Sequence, residues 1–412
     1  MEIPRPASQV LLKIAYLSAE YFCSLLILKK LFRISTVPVS LNILLKGQLR
    51  YLNQFFDVTA ISGTGEELHE VEIREGVKTQ VIEMERKISP MKDLISLYYL
   101  YQYFKKEKPD IIHSITPKAG LLSMIAGKAA GVPVRMHTFT GLIFPSRKGL
   151  FKIILIQMDR LLCFCATHIF PEGKGVQGDL IHYGITRKPL KIIANGNVNG
   201  IDTLYYSSHQ VSPIQQQKLK IQLGIGERDF VFIFAGRLVK DKGINELVAA
   251  FEALSERERG SETIRPQAKL LLVGPLEQDL DPLYAETLEE IANNPHIVSV
   301  GFQEEVRPYF AISNALVFPS YREGFPNVVL QAGSMGLPSI VTDISGCNEI
   351  IQHGCNGLIV PPKEVGSLRI AMEQVLHNPS LYEALKSKSQ ERILPYEQKA
   401  VWEALLAEYR KV

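Results

Sequence analysis

The stretch PDIIHSITPKAGLLSMIAGKAAGVPVRMHTF, residues 109–139, holds one complete unit of the fold. Pro109–Ile115 is apolar and of strand length. Lys118–Ala130 follows as a helix rich in Ala and Leu, and Gly131 and Pro133 end it in the order expected of a helix terminus. Val134–Phe139 is a second strand-length run. Strand, helix and strand joined by short loops make a parallel pair with a helical crossover.

The same rhythm extends in both directions. Lys13–Ser18 reads as a first strand, then a helix over about Ser40–Phe55 and strands at Asp57–Ser62 and Lys78–Met84. A helix at Pro90–Lys106 precedes the quoted unit, and Thr167–Pro171 is a later strand. The pattern breaks at NGNVNGID, Asn195–Asp202, with two Asn-Gly turn signals, and a polar, Gln-rich segment follows over Thr203–Glu227. A second series then runs through Phe230–Ala235, Lys269–Val273, Ile297–Val300, Ala315–Pro319, Ser339–Thr342 and Gly357–Val360. The expected architecture is α/β, with two tandem Rossmann-like doubly wound parallel sheets facing a cleft. The expected divisions are residues 1–205, 206–395, and a C-terminal helix at 396–412 crossing back to the first domain.

Length and composition agree with this reading. The 412 residues are 46% hydrophobic and 22% charged, which excludes a disordered or collagen-like chain. The net charge of +3 is too small for a dedicated nucleic-acid binder. It hides a split, because residues 1–205 carry a net +9 and residues 206–412 a net −6. Five cysteines without a CxxC pair fit neither a disulfide framework nor a zinc site, so a reducing cytoplasm is expected. No run reaches the ~18 apolar residues of a membrane span. Tyr21–Leu28 and Gly149–Cys165 are apolar, and the second reads as a buried helix. Lys29, Lys30, Arg33, Arg147, Lys148 and Lys152 flank them, a pairing that suits either an anionic membrane surface or ordinary amphipathic helices.

Two motifs carry chemistry. In GRLVKDKG, Arg237 and Lys242 stand at the carboxyl end of strand Phe230–Ala235, just before a helix. Two cations beside the free N–H groups of a helix N-terminus suit a diphosphate. In EGFPN, Glu323, Gly324, Phe325, Pro326 and Asn327 link strand Ala315–Pro319 to a helix, and Gln331 follows Glu323 by eight residues. A carboxylate and backbone N–H groups at that place suit an anion or a sugar hydroxyl. His113 and His137 end two strands of the first domain, where ligands of such sheets bind.

Two patterns are set aside. Gly173-Lys-Gly175-Val-Gln-Gly178 matches GxGxxG but follows a late strand, and the next strand ends in Asn195, where a ribose-binding acid would be wanted. Asp279-Leu-Asp281 matches the DxD pattern of metal-dependent sugar transferases but falls in a polar loop, read as solvated. No cluster has metal spacing, and neither a G-x-S-x-G elbow nor a Walker loop is present.

Arg237, Lys242 and Glu323–Gln331 together resemble glycosyltransferase family 4, retaining enzymes of the GT-B fold, over nearly the whole chain. His113–Leu142, NGNVNGID and Arg322–Ile351 resemble its bacterial capsule, O-antigen and glycan-assembly branch, including N-acetylgalactosaminyl- and hexosyltransferases. The resemblance implies a UDP-sugar donor and an undecaprenyl-diphosphate-linked saccharide acceptor. It also implies no metal or other cofactor, and a cytoplasmic protein peripherally attached to the inner face of the cell membrane. Arg237 and Lys242 would hold the donor diphosphate, and Glu323 would contact the donor sugar as first acid of the family's E-x7-E motif. Gly324, Phe325, Pro326 and Asn327 would line the pocket, and His137 would lie near the anomeric carbon. The second acid of the motif is Gln331 here, which keeps an acceptor and adds donors. Pro38-Val39 replaces the family's Gly-Gly, with Ser40 and its helix N-terminus as substitutes. Three other functions remain open: a UDP-sugar 2-epimerase, a GT-B enzyme with a soluble acceptor, and a non-catalytic scaffold derived from one.

Overall fold

The computed structural model describes residues 28–86, 89–259, 267–279 and 281–412. The first sheet has strands β1 (Lys30–Ile34), β2 (Asp57–Ser62), β3 (Lys78–Val81), β4 (Ile111–Ser114), β5 (Val134–Phe139) and β6 (His168–Pro171), in the order β3-β2-β1-β4-β5-β6. The second has β7 (Phe230–Ala235), β8 (Ala268–Val273), β9 (Ile297–Ser299), β10 (Ala315–Phe318), β11 (Ser339–Thr342) and β12 (Gly357–Val360), in the order β12-β11-β10-β7-β8-β9. Numbered from its own first strand, each sheet therefore runs 3-2-1-4-5-6, the doubly wound order whose reversal opens a crevice at the strands' carboxyl ends. β7, FVFIFA, is buried at every position, as expected of a strand covered by helices on both faces.

In the first sheet the register sets Ile34, Ser114 and His137 in one row, with Arg33, His113 and Met136 in the row before. Just past β1 and β4, Thr36 N–H donates to Thr116 Oγ1 at 2.8 Å, and the two hydroxyls also lie 2.8 Å apart. The helix Pro38–Leu44 starts on Pro38 and lacks a side-chain cap. Ser40 N–H instead donates to Val37 O at 3.1 Å within its first turn.

Several elements differ from expectation. Lys13–Ser18 lies outside the described residues, and the first described strand is KLFRI, Lys30–Ile34. Arg33, read from sequence as part of a charged flank, is 1% exposed. Its guanidinium lies 2.5 Å from His113 Nδ1 and 3.1 Å from Gln48 Oε1, which together replace water around a buried cation. The single helix expected at Ser40–Phe55 is two, Pro38–Leu44 and Gln48–Leu52, broken at left-handed Gly47. The charge-rich segment Glu66–Glu75 is a helix that apolar periodicity did not announce.

Gly149–Cys165 is helical but not buried. Leu150, Phe151, Ile153, Ile154, Leu161 and Phe164 are exposed, Leu150 at 73%, while Leu162, Cys163 and Cys165 face inward. Lys128 Nζ sits 3.5 Å from the centroid of the Phe164 ring.

Contacts divide the chain into two compact units: residues up to His137 with Met158–His168, and Thr138–Gln157 with Ile169–Val412. The break expected near residue 205 is displaced because residues 172–201 are hydrogen-bonded into the second unit. The C-terminal helix, Gln398–Tyr409, belongs to that unit too, where Trp402 Nε1 donates to Asn199 Oδ1 at 2.7 Å and Lys191 meets Glu408 at 2.7 Å.

Candidate functional site

In the second unit the fold brings the two charged motifs together at the carboxyl edge of the sheet. A short turn, Lys240–Lys242, follows β7 and leads into the helix Ile244–Arg259. Lys242 Nζ forms an ion pair with Glu323 Oε1, across 81 residues of sequence. Ser320 Oγ donates to the same carboxylate oxygen at 2.8 Å. The two charged side chains are 17% and 16% exposed, so water screens the pair only partly. Arg237 stands farther out, 47% exposed, with NH1 2.9 Å from Glu277 Oε2. Such a surface pair holds its cation loosely, contributing about 1 kcal/mol or less.

The EGFPN loop rests on a dense backing. A Cβ placed on Gly324 would lie 2.2 Å from Thr140 O and 2.8 Å from Glu172 Oε2, so only glycine fits there. Phe325 is 6% exposed and packs on Tyr396 at 5.4 Å between ring centroids, and Pro326 is also buried. These two side chains, expected to line a pocket, support the loop from beneath, because the apolar core claims them. Asn327 opens the helix Asn327–Ser334, and its Oδ1 accepts from Asn197 Nδ2 at 2.7 Å. Gln331 Nε2 donates to the Tyr206 hydroxyl at 2.9 Å.

Sequence reasoning missed two carboxylates. Glu172, directly after β6, is 7% exposed, and its carboxyl accepts from the Val198 N–H. Burial, aided by the charges of Glu323 and Glu349, pushes its pKa up to about 8, so it is largely neutral at pH 7. Glu349 accepts from the backbone N–H groups of Lys174 (2.6 Å) and Gly175 (2.9 Å) at the start of the helix Lys174–His182. This explains the GxGxxG pattern. A Cβ on Gly173 would meet Glu349 Oε1 at 2.7 Å, and one on Gly175 would meet Ser345 Oγ at 2.2 Å. The glycines admit an anion to a helix N-terminus, and the anion is the chain's own carboxylate. The second acid of the DxD pattern also has a partner: Asp281 Oδ2 accepts from Asp241 N–H at 2.7 Å.

In the first unit both histidines are sealed. His137 is 1% exposed, with Ser114 Oγ 2.8 Å from Nδ1 and Gly120 so close to the ring that a Cβ there would lie 2.4 Å from Cε1. Burial lowers its pKa to about 3 and makes it a neutral imidazole at ordinary pH. His113 is held well below its usual value by burial and by Arg33, to which it is bound. A surface groove of about 790 Å³ lies between β3 and the helix Pro90–Glu107, lined by Val81, Ile95, Tyr99 and Tyr103 among others. It contains none of the motif residues, so side-chain pairing and not cavity size locates the candidate site.

Residues 46–197 match the family model described as Glycosyltransferase Family 4, and residues 215–392 match that described as Glycosyl transferases group 1. The capsular polysaccharide biosynthesis glycosyltransferase CapM of Staphylococcus aureus is 29% identical over 384 residues, covering 92% of this chain and 97% of CapM. The UDP-Gal:alpha-D-GlcNAc-diphosphoundecaprenol alpha-1,3-galactosyltransferase of Escherichia coli is 28% identical over 294 residues, covering 70% of this chain and 72% of that protein. Among solved structures, Anabaena HepE in complex with UDP superposes with a TM-score of 0.75 at 19% identity, covering 93% of this chain and 100% of HepE. This likeness shows the two-sheet GT-B fold. With one family model on each sheet-bearing part and the two together spanning most of its length, the chain belongs to the glycosyltransferases of family 4 and group 1.

Proposed function

We propose that this glycosyltransferase moves a hexose or N-acetylhexosamine from a UDP-sugar to an undecaprenyl-diphosphate-linked saccharide, with retention, in the assembly of a bacterial surface polysaccharide. The observation that carries the reading is the Lys242–Glu323 pair at the carboxyl edge of the second sheet. The relatives' names support the acceptor and the pathway class, and the UDP complex of HepE supports the donor.

In this reading the donor diphosphate draws Lys242 from Glu323 and recruits Arg237. The bond between the anomeric carbon and the diphosphate oxygen breaks, and the acceptor oxygen attacks from the face the UDP leaves. The acceptor's proton passes to the departing diphosphate. The cations stabilise charge where it develops, the largest usual contribution to catalysis. Glu323, released from Lys242, accepts from a hydroxyl of the donor sugar. No metal ion takes part; full activity in EDTA is the expected result.

We also propose attachment to an anionic membrane face. Among the described residues no helix is long and apolar enough to cross a membrane. The exposed apolar side chains of Gly149–Cys165, with Arg147 and Lys148 beside them, support interfacial binding.

The test is a panel of UDP-sugars offered with undecaprenyl-diphosphate sugars and read by mass spectrometry. A product one sugar heavier, with the anomeric configuration of the donor, is expected. Hydrolysis or 2-epimerisation of the donor without an acceptor would replace the reading with another.

A further inference from the structure

Asn197 is 4% exposed and left-handed, with φ 66°. Its backbone N–H donates to Glu172 O at 2.9 Å. Its side-chain oxygen receives two backbone N–H groups, those of Asn199 (3.0 Å) and Gly200 (2.8 Å). Two donors converging on one atom fix that atom as the oxygen, because an N–H2 group there would face both of them. The other end of the amide is therefore N–H2, and it lies 2.7 Å from the Asn327 side chain. What it meets must be an oxygen. The orientation of Asn327 follows: its Oδ1 points to Asn197, and its own N–H2 group points elsewhere. Among the described residues that N–H2 group has no protein partner. Asn327 directly follows Glu323-Gly-Phe-Pro and opens the helix Asn327–Ser334, so its two donors belong to the same strand-to-helix turn that supplies Glu323 to Lys242.

We propose that Asn197 is a positioning residue for donor recognition: it locks the Asn327 carboxamide so that its N–H2 group meets an acceptor oxygen on the diphosphate–sugar end of the donor. This rests on the donor-site reading given above. A fixed amide offers donors only, so this position selects oxygen acceptors. An amide free to rotate would offer either face.

The substitution Asn197→Asp isolates the effect. It keeps the oxygen that serves Asn199 and Gly200 but sets a second acceptor against Asn327 Oδ1, so Asn327 must turn its N–H2 group away from the ligand. In calorimetric titration of the full chain with UDP-glucose, affinity is expected to fall about five- to tenfold, the worth of one hydrogen bond. In an Asn327→Leu background the same substitution is expected to change affinity less than about twofold, since coupling vanishes when its mediator is gone. An equal loss in both backgrounds would mean the added charge acts by itself, and would overturn the proposal. So would an unchanged affinity in Asn197→Asp. Should that variant fail to fold, Asn327→Asp serves as the independent arm: it removes the donors without touching the turn, and unchanged affinity there also overturns the proposal. Lys242→Ala separates the two levels. If it binds UDP-glucose like wild type, the donor-site reading fails; if it loses binding while Asn197→Asp does not, only the positioning role fails.

Discussion

Glu349 Oε1 lies 2.9 Å from the backbone N of Gly175, 174 positions away in the sequence. The contact joins the start of the helix Lys174–His182 to the short helix Cys347–Ile350. It is a capping interaction made by a carboxylate from a distant part of the sequence, on the positive end of the helix dipole. Glu349→Gln should lower stability by about 1 kcal/mol, by analogy with lost helix caps. Gly175→Ala should cost more, about 1–3 kcal/mol, because its methyl meets Ser345 Oγ and Cβ. Urea denaturation measures both, and a neutral Gly175→Ala would contradict the packing.

Lys242→Ala is expected to lower kcat/KM at least about 100-fold, in line with losing one preorganised charge at a reacting centre. Glu323 would be left without its cation but remains 16% exposed, so stability should fall by only about 1 kcal/mol. A variant that transfers sugar normally would remove Lys242 from the mechanism.

Glu172 makes stability depend on pH in a definite direction. Its folded-state pKa of about 8 lies above the ordinary 4.5. Below pH 4.5 both states hold the proton and the group has no effect. As pH rises from there to 8, the unfolded chain ionises while the folded chain must keep its proton, so stability falls. Above 8 the loss is constant. Glu172→Gln keeps the shape and cannot ionise. Its stability relative to wild type should therefore improve between pH 5 and pH 8, and a difference independent of pH would refute the burial argument.

His137 acts in the opposite part of the scale. With a folded pKa near 3 against 6.5 unfolded, it costs nothing above pH 6.5 and destabilises progressively as pH falls toward 3. Its ring should show no titration between pH 5 and 8 by NMR. An acid limb of the rate profile in that window would belong to another group.

Leu150 and Ile153 are 73% and 55% exposed, so replacing both by Glu should change stability little, within about 0.5 kcal/mol each. If the helix binds an anionic membrane, the double variant should no longer float with anionic liposomes at low salt. Wild-type protein that fails to float would end the membrane proposal.

Much of the fold was legible because buried parallel strands are continuous apolar runs: β5, β7, β11 and β12 have the bounds read from sequence. β1 was not, since a Lys at its start and Arg33 in its middle disguise five residues of strand. Arg33 became buriable only through Gln48 and His113, and tertiary partners leave no periodic trace. The site was legible where the chemistry is local, as in GRLVKDKG and EGFPN. Glu172, Asn197 and Glu349 were not: Asn197 and Glu349 meet partners more than 120 positions away, and it is chiefly burial that sets the state of Glu172. The Gly173–Gly175 pair did signal a close anionic neighbour; that the neighbour was internal could not be read from spacing.

The two sheets share one strand order but close their reversal points differently. In the first, Thr36 and Thr116 join across the carboxyl ends of β1 and β4 with neutral hydrogen bonds. In the second, the corresponding ends of β7 and β10 are bridged by Lys242 and Glu323, opposite charges near solvent. A neutral seam gives an arriving dianion nothing to exchange with. An ion pair does, since the phosphate can take the carboxylate's place against the ammonium. On the proposed donor-site reading, one architecture used twice thus yields a fixed seam and an exchangeable latch.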